Sequence, residues 1–565
     1  MNLLIKYKYL FFILIAFILY GNTIQNSYSI DDDFVTNRSF TTKGFSSIKK
    51  IFTTPYSLNE DGKGFEYRPI VKLSFALEHG FFGVKTQTSH IINILLYALS
   101  LILLYKILTV IFGEEKKDFV FFTVLVFAFM PAHTEVVASL KNRDILLCYI
   151  FSMLSFLQFN NFLKTKKLYF ICLGIVLMIT AFLSKFDAFP LLALFPIFLF
   201  KKTDYSVKNI LITIIIILII YFGRGLLEDT LVEQSTMRSD YFYYENPLNF
   251  YNPSYLKFAA LLNSLGFYIK LLVFPFTLSC YYGYNTISVD NYFTTETFIG
   301  LIAILALLVL LVKNFKNIKH PLFIGTLFFG CSISMYLNFI IPAPGIVADR
   351  FVFFASTGFA IILTYIIFLT QKKFFVFGKQ KITLPFFILF TILCFELPII
   401  LIRNKEWKDI LTLVSNDVKK HPNSMKLNVL YANELISEVK KGRLPPAKFI
   451  QNITLAKNHL LKAYHIDSSY YNTCNSLGFI EMTFDKNPEK AIFWFKKSYK
   501  NYPSKFETTL NLAICFEKLN QTDSALTYFD KSYRIKPNSE SLKLYFSNYL
   551  KTINKSDLIP KYYPF

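Results

Sequence analysis

The stretch ILITIIIILIIYF (210–222) decides the class of fold. No charged side chain interrupts it, and Thr213 and Tyr221 carry its only polar side-chain groups. Apolar runs of about 18 residues or more read as membrane-spanning helices, and this run extends over 207–224. Working outward, similar segments lie at 9–20, 89–112, 119–137, 144–163, 167–184, 187–200, 256–276, 297–312, 321–341, 351–370 and 383–402. Hydrophobic residues make up 53% of the 565 and aromatics 18%, above the level of about 45–50% usual for soluble domains. Such a chain is neither disordered, nor collagen-like, nor a small disulfide scaffold. It is a polytopic membrane protein.

The net charge is +22, and its distribution sets an expected topology. Basic residues in short loops are retained on the cytoplasmic side. Lys116/Lys117, Lys164/Lys166/Lys167, Lys201/Lys202/Lys208, Lys313/Lys316/Lys319 and Lys372/Lys373/Lys379/Lys381 mark five such loops. The N-terminus is then cytoplasmic, and the polar loop 28–88 lies on the far side. Twelve spans would invert the last basic loops. A re-entrant or interfacial 256–276 segment restores agreement, leaving about 11 spans and an extracytoplasmic C-terminal region. Because the charge is topological, nucleic acid is not an expected partner. The seven cysteines show no metal-ligand spacing. Composition rich in Lys, Asn, Ile and Phe suggests an AT-rich, bacterial genome, and so a plasma membrane rather than an endoplasmic reticulum.

From Arg403 the sequence becomes charged and helix-forming, and it repeats itself. Ala491, Phe495, Ser498 and Pro503 recur 34 residues later as Ala525, Phe529, Ser532 and Pro537. Leu512, Ala513 and Phe516 complete the small and aromatic pattern of a tetratricopeptide (TPR) helix pair. The expected fold is all-α: a membrane domain over 1–403, a linker over 404–420, and a TPR solenoid over 421–565.

Chemistry is sought where polar residues meet the membrane edge, because they are costly there. Asp31 and Asp32, followed by Asp33, open the first outer loop. They could supply a general base or hold a divalent cation, or form a solvated acidic turn. His133, Glu135, Arg143 and Asp144 cluster at the outer end of the third segment. They could bind phosphate, or serve as a helix cap with a packed histidine. Lys185, next to Asp187, could reach an anionic head group or snorkel to the interface. Asp349 and Arg350 stand at another outer edge, where Arg suits bidentate phosphate recognition. There is no HExxH, GxSxG, Walker loop or helix-opening GxGxxG.

These blocks, in this order, resemble the transmembrane-and-TPR O-mannosyltransferase family, and more broadly the lipid-sugar-dependent glycosyltransferases of the GT-C fold. The blocks are Asp31-Asp32, YRPIVKLSFALEHGFFG (67–83), PAHTEVVASLKNRD (131–144), SKFDA (184–188), the stretch 246–285, ADRFVFF (348–354) and RNKEWKDILTLVSNDVKKHPNS (403–424). Ile30 and Phe186 depart from the family pattern. The resemblance implies sugar transfer from a polyprenyl- or dolichyl-phosphate donor to a protein hydroxyl. Asp31 or Asp32 would be the base. Arg143, Lys185 and Arg350 would face the donor phosphate, and His133 and Glu135 would orient acceptor or base. Mannose is the implied sugar, and acceptor polypeptides would engage the TPRs. No organic cofactor is implied. The competing readings are a membrane-anchored TPR scaffold and a lipid-linked-sugar transporter.

Overall fold

A computed structural model describes residues 6–36, 40–58, 64–199, 207–232, 242–251, 253–370, 374–377 and 380–562. Lys201, Lys202, Lys372, Lys373 and Lys379, which entered the topology argument, lie outside the described residues. The fold is all-α, with two short antiparallel ladders as its strand content among the described residues. Two compact units divide it: one built from 1–58, 64–282 and 287–417, the other chiefly from Val418–Phe565.

The membrane unit runs through helices α1 (Lys8–Tyr20), α2 (Pro69–Phe82), α3 (Thr86–Phe112), α4 (Lys117–Ala128), α5 (Thr134–Ala138), α6 (Arg143–Thr165), α7 (Tyr169–Ser184), α8 (Leu191–Leu199), α9 (Val207–Leu231), α10 (Ser254–Val273), α11 (Thr295–Asn314), α12 (Pro321–Ser334), α13 (Phe353–Phe368), α14 (Leu384–Glu406) and α15 (Ile410–Lys420). Seven helices of the described residues are long and apolar enough to cross a membrane. The sequence over 114–138 would be an eighth if counted as one span, but it bends by 57° where Pro131 follows α4. Segment 256–276, expected to be re-entrant or interfacial, lies largely in the continuous 20-residue helix α10 (Ser254–Val273), which is long and apolar enough to cross a membrane. α1, α7, α8 and α12 are shorter apolar helices.

Without a hydrophobic drive between helices in lipid, close packing rests on small residues. Two crossings illustrate it. A Cβ on Gly266 of α10 would sit 1.8 Å from the Glu296 carbonyl oxygen of α11, and one on Gly300 would sit 2.1 Å from that of Leu262. On α13, a Cβ at Gly358 would sit 2.3 Å from the Phe329 nitrogen of α12. Asparagine amides join the first and last helices of the bundle. Asn404 Nδ2 donates to the Leu19 carbonyl and to Asn22 Oδ1, both at 2.7 Å.

Residues 404–420 are the end of α14 followed by α15. Arg403 donates to Asp417 at 2.6 Å, and Leu413 packs with Trp407 and Ala138. The second unit is an array of helix pairs, α16 (Met425–Lys440) with α17 (Pro446–Ile466), α18 (Tyr471–Thr483) with α19 (Pro488–Asn501) and α20 (Phe506–Lys518) with α21 (Thr522–Ile535), followed by α22 (Glu540–Thr552). Ala491, Phe495 and Ser498 on α19, and their repeats Ala525, Phe529 and Ser532 on α21, are all fully buried. The 34-residue period is therefore a packing period.

Replacing Gly266 or Gly358 by Val should force the helix pairs apart. The expected loss is about 1–3 kcal/mol or more, as for overpacking in a close-packed core. A lowered melting temperature of the purified protein in detergent checks it, with Gly113→Ala, whose Cβ would meet open space, testing the cost of backbone strain alone.

Candidate active site

Asp31 and Asp32 are neighbours with opposite environments. Asp31 caps a single 3₁₀ turn, Asp32–Phe34, from the left-handed region at φ 65°. That conformation turns its carboxylate outward, and the side chain is 43% exposed, with Lys141 Nζ at 2.7 Å. Asp32 is fully buried. Its Oδ2 accepts from the Ser29 amide and hydroxyl at 2.7 and 2.9 Å, and its Oδ1 from the Lys141 amide at 2.8 Å and Ser139 Oγ at 3.3 Å. Burial pushes the Asp32 carboxyl above the usual range, against the pull of the two amides and the Ser29 hydroxyl. With four donors on its two oxygens, Asp32 clamps the first loop to the loop before α6. It has no coordination to offer a metal, and no group of three or more His, Cys, Asp or Glu suited to a metal occurs among the described residues.

Arg143 lies inside the fold. Its guanidinium donates to Asn93 Oδ1 at 2.7 Å, Glu78 Oε2 at 2.7 Å and the Ser89 carbonyl at 3.1 Å, and covers the Phe75 ring at 3.7 Å. The residue expected to face a phosphate is thus fully buried and paired within the fold, as a buried cation must be. His133 is likewise enclosed. Its ring nitrogens lie 3.0 Å from Tyr97 Oη and 2.8 Å from Ser356 Oγ, and Phe127 and Phe353 flank it. Its side chain is fully buried. Asp349 accepts from Tyr282 Oη at 2.6 Å and the Ser279 amide at 3.1 Å, so it pins the 277–282 loop.

The remaining residues gather around a partly open ion-pair cluster. Glu135 holds Arg350 twice: Oε1 accepts from Nη1 at 2.5 Å and Oε2 from the Arg350 amide at 2.9 Å. Asp31 and Asp144 are both near enough to interact electrostatically with Arg350. Asp144 is fully buried, and Arg68 binds it directly. Lys185 Nζ lies 4.0 Å from Asp144 Oδ1 and 3.6 Å from Asp187 Oδ2. Asp187 Oδ1 accepts from Tyr336 Oη at 2.5 Å, and the Tyr336 ring stacks on Phe351 at 4.0 Å. Cationic side chains reach outward from this cluster: Arg350 is 22% exposed, Lys141 19% and Arg68 13%.

Sequence reasoning did not name Arg68, Glu78 or Tyr336. Arg68 carried a signal, since an Arg-Pro step opens α2 immediately after a polar loop. Tyr336 carried none, because the cluster reaches it only through the chain's return past α12. The candidate residues thus separate into a closed scaffold (Asp32, His133, Glu135, Arg143, Asp144, Lys185 and Asp349) and an open rim (Asp31 and Arg350). The rim offers what acid–base chemistry on an anionic substrate requires: an accessible carboxylate beside fixed cations.

A scan against protein-family models finds no match. Part of the chain is similar to proteins named protein O-mannosyl-transferase. It is 30% identical to human TMTC1 over 182 residues, which are 29% of this chain and 20% of that protein. With human TMTC2 it shares 26% identity over 229 residues, 37% of this chain and 27% of that protein. With Drosophila melanogaster Tmtc1 it shares 25% over 183 residues, 32% of this chain and 21% of that protein. The chain thus spans about a fifth to a quarter of the length of these relatives.

The two aspartates should separate by experiment. Asp32→Asn places an amide NH₂ among four donors and should cost about 1–3 kcal/mol of stability, the penalty for a buried polar mismatch. Asp31→Asn should leave the melting temperature unchanged. Thermal unfolding of both variants in detergent checks this.

Proposed function

We propose that the protein is a membrane glycosyltransferase that moves a sugar, mannose by analogy with its relatives, from a polyprenyl- or dolichyl-phosphate donor to Ser/Thr hydroxyls of proteins. The observation that carries the reading is the open rim. One exposed carboxylate, Asp31, is paired with Lys141, and a part-exposed guanidinium, Arg350, is fixed by Glu135, within a polytopic chain whose substrate would be a membrane lipid. The partial likeness to proteins named O-mannosyl-transferases supports the same reaction.

In this reading Asp31 takes the proton from the acceptor hydroxyl. The freed oxygen electron pair forms the new bond to the anomeric carbon, and the bond from that carbon to the phosphate oxygen breaks. The lipid phosphate leaves with the bonding pair, and the anomeric configuration inverts. Charge grows on the phosphate as this happens. Arg350 and Lys185 stabilise it because they are already held in place by Glu135, Asp144 and Asp187, and so need little reorganisation. Holding a lipid donor and a protein hydroxyl at one membrane face supplies proximity. The reading places the rim and the C-terminal helical array on the extracytoplasmic side, with that array acting as TPRs that hold extended acceptor segments. It places the protein in a bacterial plasma membrane.

Asp31→Asn should abolish transfer without loss of folded protein. Arg350→Met should lower the rate on the order of 10²–10³-fold, as for loss of one fixed stabiliser of developing charge. The measurement is transfer from a polyprenyl-phosphate sugar to peptide by purified protein, with glycoproteomics of cells carrying each variant. Unchanged glycan on Ser/Thr peptides in Asp31→Asn cells would falsify the assignment.

A further inference from the structure

The helix α2 has its charges on the wrong side for water. Lys72, Glu78 and His79 are buried together with Val71, Phe75 and Ala76. Lys72 Nζ donates to the Pro55 carbonyl at 3.1 Å, Glu78 pairs with Arg143 at 2.7 Å, and His79 Nδ1 meets the Thr41 carbonyl at 3.2 Å. Leu73, Leu77 and Phe81 follow at intervals of four residues, and helical geometry sets them along one face. That face points out of the unit: Leu77 is 38% exposed, Phe81 71% and the adjacent Phe82 57%.

The apolar surface continues past the helix. Phe45, 46% exposed, stands edge-on to Phe81 at 5.0 Å. It can do so because Gly80 has no side chain: a Cβ there would strike the Phe45 ring at 2.7 Å. Gly44, at φ 60°, leans on Gly80 in turn. Val84, just past the helix, is 44% exposed, and lysines are exposed both in the segment that carries Phe45 (Lys43, Lys49 and Lys50) and next to Val84 (Lys85). Thr86, two residues after Val84, begins the 27-residue α3, which is long and apolar enough to cross the membrane.

We infer that this face of α2, with Phe45 and Val84, is a lipid-binding surface that lies in the bilayer interface at the N-terminal end of α3. Two observations select a bilayer over a protein partner. The patch is continuous in the chain with the end of a membrane-crossing helix, which keeps it at that boundary. Exposed lysines accompany the apolar stripe, the composition by which interfacial helices meet phospholipid head groups. The inner face of the same helix holds Arg143 through Glu78, so the lipid contact seats the loop that carries Asp31 against the membrane surface. The inference rests on the geometry of α2 and needs no catalytic role for Asp31.

The test is depth-dependent fluorescence quenching of the full chain in nanodiscs. F81W and L77W each add one tryptophan to the two native ones, Trp407 and Trp494, whose signal is subtracted using the parent protein. For an apolar face about 5–10 Å deep in the head-group and acyl boundary, lipids brominated close to the head group should quench the added tryptophan roughly twofold. Quenching by lipids brominated at the chain end should be weaker, and aqueous iodide should have little effect. Strong iodide quenching without bromolipid quenching would mean that the stripe faces water. Protection from both quenchers would mean that protein covers it. Either result overturns the inference, and neither bears on whether the protein transfers sugar.

Discussion

Arg143 and Asp144 are consecutive, carry opposite charges, and grip opposite ends of one helix. The arginine reaches Glu78 near the end of α2, the aspartate reaches Arg68 just before its start, and Arg143 also binds Asn93 and the Ser89 carbonyl of α3. A single buried charge costs several kcal/mol, and removing one partner of a buried pair costs about 3–5 kcal/mol. α2, α3 and α6 are therefore held in one mutual arrangement, and Asp144 in turn lies 4.0 Å from Lys185.

Around that lock the polar groups divide by what they have left to give. Asp32, His133 and Asp349 have their acceptors and donors taken up by neighbours from distant parts of the chain. Such groups make precise joints between helices, since misalignment would leave a desolvated polar atom unpaired. Asp31 and Arg350 keep part of their surface in the open while remaining anchored to Lys141 and Glu135. A carboxylate and a guanidinium fixed in this way can meet developing charge without first paying to be ordered.

Much of this was legible in the sequence, and the gaps have physical causes. The apolar runs identified the bundle, because length and lack of charge decide membrane residence locally. The 34-residue recurrence identified helix pairs, because Ala491 and Phe495 recur at the spacing their packing requires. The clusters at 131–144, 184–187 and 349–350, which the sequence sets at membrane edges, contribute Glu135, Asp144, Lys185, Asp187 and Arg350 to the ion pairs described above. Which members were open was not legible. Asp31 and Asp32 are adjacent and chemically identical, and only a left-handed residue at Asp31 turns one outward and the other into the fold. Loop charge reports orientation rather than helix continuity, so it could not show that 254–273 forms one unbroken helix. Gly266 and Gly300 make it one half of a close helix pair.

The sequence by itself determined that the chain is helical, that it crosses a membrane several times, that a repeating helical array follows, and where along the chain costly polar residues lie. Those properties depend on composition and period within short windows. Tertiary structure alone decided that Arg143 is a strut, that Arg68 and Tyr336 join the ion-pair cluster, and that α2 turns its charges inward. Each of these depends on which distant segment arrives to pair a buried charge, and that partner lies tens to hundreds of residues away.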